Sequence, residues 1–175
     1  MTVTSGMPQE EQLSRRAWFR ERWELGVRFN RMCRMRVLRW DEAGVVMALP
    51  YAEPLSAHEG VFHGGVVSAL IDTAGGGAVM AGHDFTKGSR MSTVSLTVQY
   101  LVPAQGPEIT AYASCVRRGG RIHHAEVEVR DRGGQLCARG QVVVSISGER
   151  PGVGRPIAPR RGTGGKTLPS TSEVE

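Results

Sequence analysis

Residues 63–81 read His-Gly-Gly-Val-Val-Ser-Ala-Leu-Ile-Asp-Thr-Ala-Gly-Gly-Gly-Ala-Val-Met-Ala. From Val66 the run is small and apolar nearly all round, which is the pattern of a helix buried on most faces. Each of Gly75, Gly76 and Gly77 lowers helix propensity by roughly 1 kcal/mol relative to Ala. Such a helix makes sense where another backbone or a ligand approaches closely. One carboxylate, Asp72, stands in the middle of it, where an unpaired charge is costly to bury.

Outward from this helix the chain changes period. Upstream, Cys33 to Trp40 alternates, with Cys33, Met35, Val37 and Arg39 on one side. Asp41 to Gly44 forms a turn and Val45 to Leu49 a second strand, so the two read as a hairpin. Before them, Phe19, Trp23 and Val27 recur at helical spacing and predict a helix from Gln12 to about Arg31 that caps a sheet. Pro50 and Pro54 open a loop that runs to Phe62.

Downstream come four strand-like segments: Met91–Val102, Glu108–Val116, Ile122–Asp131 and Leu136–Ile146, separated by Gly-containing turns. In the first, strict alternation puts Val94, Leu96, Val98, Tyr100 and Val102 on one face and Thr93, Ser95, Thr97, Gln99 and Leu101 on the other. Residues 1–10 are expected to be disordered, 11–147 to form one domain, and 148–175 to be a disordered basic tail rich in Gly, Pro, Arg, Thr and Ser. The fold class is therefore α+β, one antiparallel sheet wrapped around one apolar helix. A sheet edge is left over, and pairing with a second chain would cover it, which predicts a homodimer.

The chain has 175 residues and a net charge of +5, with 40% hydrophobic and 22% charged residues. That is ordinary globular composition. Cys33, Cys115 and Cys137 are three, far apart and in no CxxC pair. This argues against a zinc cluster or a disulfide framework and favours a cytoplasmic setting. No signal peptide is visible, and the Gly-rich run holding His63 and Asp72 is a poor membrane span. Arg is spread along the chain without a recognisable nucleic-acid module, so an anionic, phosphate-bearing ligand is the more economical partner.

Three readings compete for Asp72: a structural carboxylate bonded to a loop, an ion pair with an Arg across an interface, or a base or nucleophile tuned by burial. His63-Gly64-Gly65 leads into the helix N-terminus, where free N–H groups favour negative charge and glycine admits close approach. An acyl oxyanion needs such a place, although Gly-Gly can also be a plain tight loop. Asp72 lies eight residues past Gly64, about 12 Å along one helix. A partner chain could bring its Asp72 to this Gly64. His58 and His63 are candidates for acid–base work, with His63 fixing the loop. No metal is expected, and neither His123 nor His124, nor any cysteine, finds a catalytic partner.

At this point HGGVVSALIDTAGG resembles the central-helix signature of PaaI-like hotdog thioesterases. Residues 92–145 are similar to the same family's strand pattern, with Tyr-Leu-x-Pro-Ala, Val-Arg-Arg-Gly-Gly-Arg and Glu-Val-Arg-Asp in the family's order. The resemblance covers about residues 33–146. It implies a hotdog dimer, often paired into a tetramer, that hydrolyses an acyl-CoA thioester without a cofactor. It places Asp72 at the catalytic carboxylate, acting as general base or nucleophile, and Gly64 at the N–H that polarises the carbonyl, with His63 opening the motif. Where the family carries an Asn three residues before the loop glycine, this chain has Ala57 with His58 beside it, so either His58 takes over the role or the enzyme is slower or differently tuned. Arg117, Arg118 and Arg121 suit the CoA phosphates. Gly65, Thr73, Gly76, Thr93 and Ser95 are the expected surroundings of the acyl group. The competing functions are a hotdog dehydratase, which would need a His–carboxylate pair, a non-catalytic acyl-CoA binder, and a nucleic-acid binder.

Overall fold

The computed structural model describes residues 7–153, so most of the expected basic tail, and the first six residues, lie outside the described residues. Six strands, β1 (Arg36–Asp41), β2 (Gly44–Pro50), β5 (Arg90–Tyr100), β6 (Glu108–Arg118), β7 (Ile122–Asp131) and β8 (Leu136–Ser147), form one antiparallel sheet. Its order is β1-β2-β6-β7-β8-β5. A short pair, β3 (Ser56–His58) with β4 (Val61–Phe62), folds within the long loop. The sheet wraps α3 (Gly64–Ala81), which packs mainly on β2, β6, β7 and β8 and more thinly on β5. By length and composition α3 could cross a membrane, but 61% of it is buried inside the fold, as a core helix is.

The helix begins two residues before the expected Val66. His63, in extended backbone, accepts the Gly65 N–H on its own Nδ1 at 3.0 Å and so caps α3. Gly64 and Gly65 are the first helical turn rather than a loop before it. A side chain at Gly65 would meet the His63 ring at 3.0 Å, so glycine there admits the cap.

The three glycines make room for side chains, not for a backbone or a ligand. A Cβ on Gly75 would stand 2.5 Å from Val142 Cγ2, on Gly76 2.9 Å from Met91 Cε, and on Gly77 3.0 Å from both Trp23 Nε1 and Trp40 Cζ3. Gly75 lets α3 settle on β8. Gly76 and Gly77 seat the indole rings that clamp the N-terminal segment to the helix.

That segment is not one helix. It starts at Gln9, inside the stretch expected to be disordered, as α1 (Gln9–Glu21). It widens into a π-helical turn over Arg22–Gly26, breaks at Val27 and resumes as α2 (Arg28–Met32). The break lets Asn30 turn inward, where its Nδ2 donates to Trp23 O at 2.7 Å. Trp23 Nε1 in turn donates to Thr73 O at 2.8 Å, and Phe19 stacks on Phe85 at 5.4 Å.

Two bulges correct the expected strand faces. Between Val37 and Arg39 the β1 register slips, so Cys33, Met35 and Val37 are buried while Arg39 turns outward. Between Thr93 and Ser95 the β5 register slips as well, around Val94. Thr93 therefore pairs with buried Val144, and Leu96 with buried Val142, on the helix side of the sheet. Ser95 pairs with Val143 on the outer side. A bulge adds one residue and reverses the phase of the strand beyond it, which alternation alone does not anticipate.

Candidate active site

Helical spacing sets Gly64, Ser68 and Asp72 in one row along α3, because residues four apart share a face. β5 runs beside this row and ties to it at both ends. At one end Thr93 Oγ1 donates to Asp72 Oδ1 at 2.9 Å. At the other, the Tyr100 hydroxyl donates to Gly64 O at 2.9 Å and is also in hydrogen-bond contact with Ser68 Oγ. Next to the Tyr100 end, Phe62, Gly64, Val67, Tyr100, Pro103 and Cys137 help line a cavity of about 320 Å³.

Asp72 is half-buried and makes no ion pair among the described residues. Its second oxygen is left for another partner. Gly64 N–H has no acceptor among the described residues, so a donor stands unused at the head of α3. The two groups lie about 12 Å apart along one helix, too far to act on one carbonyl from within a single chain.

The remaining expected site residues divide. His63 and Gly65 build the cap. His58 lies on β3 with its side chain exposed. Thr73 leans away from Asp72 and donates to Asn30 Oδ1 at 3.4 Å, and Gly76 is buried under Met91 and Trp23. Thr73 and Gly76 are thus covered by Asn30 and Trp23 of the N-terminal segment and by Met91 of β5.

Arg118 also departs from expectation. In register it pairs with His123, whose side chain is buried on the helix side. Arg118 Nη1 donates to Val79 O at 2.6 Å and Nη2 to Ala78 O at 3.2 Å. It satisfies orphan carbonyls at the C-terminus of α3 and complements the dipole there. Arg117, on the outer face opposite His124, and Arg121, whose Nε lies 3.4 Å from Ser145 Oγ, remain exposed.

His83 and His123 meet edge to face behind this cap, ring centroids 5.5 Å apart. His83 Nε2 bonds Gly88 O at 3.0 Å, whereas neither ring nitrogen of His123 has a partner among the described residues. Burial lowers the pKa of His83 to about 4, and burial, followed by the nearby Arg118, lowers that of His123. Both are neutral core groups. Among the described residues no group of three His, Cys, Asp or Glu could hold a metal ion, and the three cysteines are free.

Sequence reasoning missed Ser68 and Tyr100. Ser68 was findable, being four residues from both Gly64 and Asp72. Tyr100 was visible only as part of the Tyr-Leu-x-Pro-Ala pattern, and its reach to Gly64 depends on where β5 runs.

Comparison with known proteins agrees with this fold. A model of the thioesterase superfamily matches residues 59–138. A Halobacterium salinarum protein named as an esterase is 42% identical over 86 residues, which take in 47% of this chain and 56% of that one. The chain thus spans little more than half of that relative. A Sulfurisphaera tokodaii protein of the same kind of name is 32% identical over 100 residues, 57% of this chain and 72% of that one. The medium/long-chain acyl-CoA thioesterase YigI of Escherichia coli is 28% identical over 116 residues, 59% and 75% of the two chains. A crystal structure from Shewanella oneidensis, described as related to the thioesterase superfamily, shares the fold with a TM-score of 0.70 over 78% of this chain and 97% of that one, at 22% identity. With its sheet wound around one central helix, the chain belongs to the thioesterase superfamily and has the hotdog fold.

Proposed function

We propose that this protein hydrolyses an acyl-CoA thioester to the free acid and CoA, as a PaaI-like member of its superfamily, in the cytoplasm. The observation that carries the reading is Asp72. It is a half-buried carboxylate in the core helix, with one oxygen steadied by Thr93 and no ion-pair partner among the described residues. An ion pair within the chain would show its partner, and a general base needs a free oxygen.

The site is completed by a second copy. β5 is an edge strand with Val94, Leu96 and Tyr100 exposed, and Leu101 and Val102 just beyond it are exposed as well. Pairing that edge with its counterpart covers them and brings the partner's α3 alongside. Asp72 of one chain then faces Gly64 of the other. Water attacks the carbonyl carbon while Asp72 takes its proton. The oxyanion forms against the Gly64 N–H. Collapse breaks the C–S bond, and the leaving thiolate recovers the proton from Asp72. Direct attack by Asp72, giving an anhydride that water then opens, uses the same groups. Of the three turn arginines, Arg117 and Arg121 are free of the α3 carbonyls that hold Arg118 and are left to meet the CoA phosphates.

A second reading is a non-catalytic acyl-CoA binder. It is favoured by Ala57 standing where the family carries Asn, and by the exposed His58 beside it. Free-thiol release from short, medium, long and aryl acyl-CoAs, measured beside Asp72→Asn, separates the two. Turnover that falls by about a hundredfold or more in Asp72→Asn, with an unchanged melting curve, supports the hydrolase. CoA esters that raise the melting temperature without thiol release from either protein support the binder.

A further inference from the structure

The peptide joining Gly64 to Gly65 is held at both of its polar ends. Its carbonyl accepts from the Tyr100 hydroxyl at 2.9 Å, and its N–H donates to His63 Nδ1 at 3.0 Å. The Tyr100 proton is spent on Gly64 O, so the contact with Ser68 is one in which Ser68 Oγ–H donates to the tyrosine oxygen. Ser68, Tyr100 and Gly64 thus form a directed chain from α3 to β5 and back. The Tyr100 ring lies over the same residue, its edge 3.5 Å from where a Gly64 Cβ would be.

Two successive glycines at the head of a helix have no side chain to restrain them, and glycine samples more backbone conformations than any other residue. The first N–H groups of a helix have no intrahelical acceptor to aim them either. Upstream of Gly64 the peptide is fixed through His63 O, which accepts from Val66 N at 2.9 Å and Val67 N at 3.1 Å. Downstream, Tyr100 and the His63 ring do the fixing. Tyr100 is 56% exposed, so packing in the core does not account for its position. Its hydrogen bonds do.

We propose that Tyr100 is a positioning residue: by fixing the Gly64–Gly65 peptide it locks the backbone on the C-terminal side of Gly64 and so keeps the Gly64 N–H, on the adjoining peptide, in the direction the thioester oxyanion requires. The proposal rests on the thioesterase reading above and names a part of its machinery that lies outside the helix motif. It has a structural consequence. Tyr100 belongs to β5, the edge strand on which a second copy would pair, so assembly at that edge and the geometry of the oxyanion donor are set by the same strand.

Tyr100→Phe keeps the ring and removes the hydroxyl, and Ser68→Ala keeps the tyrosine and frees its hydroxyl. The expected result for Tyr100→Phe is a fall in kcat of about tenfold with KM within about twofold, because an oxyanion donor acts in the transition state rather than in substrate binding. A CoA trifluoromethyl ketone, whose hydrated form carries the tetrahedral oxyanion, should bind about tenfold more weakly to Tyr100→Phe, while CoA itself binds as to the wild type. Ser68→Ala should move the same quantities in the same direction by a smaller factor. An unchanged kcat in Tyr100→Phe overturns the proposal and leaves the hydrolase reading standing. So does a loss of kcat that tracks a fallen melting temperature while the ketone-to-CoA affinity ratio stays constant. Absence of thiol release from the wild type on every acyl-CoA removes the hydrolase reading itself, and the role of Tyr100 with it.

Discussion

Gly75→Ala sets two well-defined effects against each other. Helix propensity favours Ala over Gly by about 1 kcal/mol at an interior position, so on local grounds the substitution stabilises α3. Packing opposes it. The new methyl would lie 2.5 Å from Val142 Cγ2, 2.8 Å from Val142 Cβ and 3.4 Å from Val127 Cγ2, against an ordinary carbon–carbon contact of about 3.5–4.0 Å. Val142 cannot swing away, because it is β-branched and its strand is paired on both sides, with Leu96 on β5 and Ala125 on β7. Overpacking of this kind costs roughly 1–3 kcal/mol, more than the propensity gain. A contact as short as 2.5 Å puts the cost in the upper part of that range, about 2–3 kcal/mol, so the expected net loss is about 1–2 kcal/mol, or about 2–8 °C in melting temperature for a domain of this size. Urea or thermal unfolding at fixed protomer concentration measures it. Val142→Ala removes the nearest methyl, so Gly75→Ala/Val142→Ala should cost less than the sum of the single changes by about 0.5 kcal/mol or more. A Gly75→Ala protein as stable as the wild type, or strict additivity in the double variant, would refute the packing argument.

The buried histidines predict a pH dependence of stability. An unfolded histidine takes up its proton near 6.5, the folded His83 only near 4, and the folded His123 also below its ordinary value. Below about pH 6.5 the unfolded chain therefore binds protons that the folded chain refuses, and stability falls as pH drops from there towards 4. His123→Leu should flatten that slope and leave the protein at least as stable at pH 7, since it removes two buried nitrogens that have no partner among the described residues. Melting curves across pH 4–8 test both points, and an unchanged slope contradicts them. Arg118→Ala should lower stability by roughly 1–3 kcal/mol through the loss of two carbonyl partners on α3. It should leave KM for acyl-CoA within about twofold. A KM rise without a stability loss would return Arg118 to the phosphate site.

How far the sequence reaches is clearest at particular residues. The core helix, the six strands of the main sheet and the spacing from Gly64 to Asp72 are legible in composition and period, because burial and period are local signals, whereas the short β3–β4 pair inside the loop was not. The Thr93–Asp72 bond was not legible, since it depends on a bulge at Val94 that has no sequence mark beyond a β-branched run. Arg118 looked like any turn arginine. Its place on the inner face is set by cross-strand register with His123, a long-range property. The glycine triplet signalled close approach correctly, but the nature of the neighbour could not be read from it. Trp23 comes from fifty residues upstream, and only the break at Val27 brings Asn30 and Trp23 onto α3.

The most direct test of the composite site mixes two inactive chains. Asp72→Asn removes the base. Gly64→Pro removes the N–H while keeping α3, because proline is accepted at the first helical position. A Cβ there would meet the Tyr100 ring only at ordinary contact distance, 3.5 Å. Each should lose thioesterase activity by about a hundredfold or more on its own. In a dimer of one Asp72→Asn and one Gly64→Pro chain, one of the two shared sites is intact. Half of randomly reassorted dimers are mixed, so unfolding the variants together and refolding them as an equal mixture should restore about a quarter of wild-type activity. Activity that stays at the level of the separate variants, with mixed dimers shown to be present, would contradict a site built from Asp72 of one chain and Gly64 of the other.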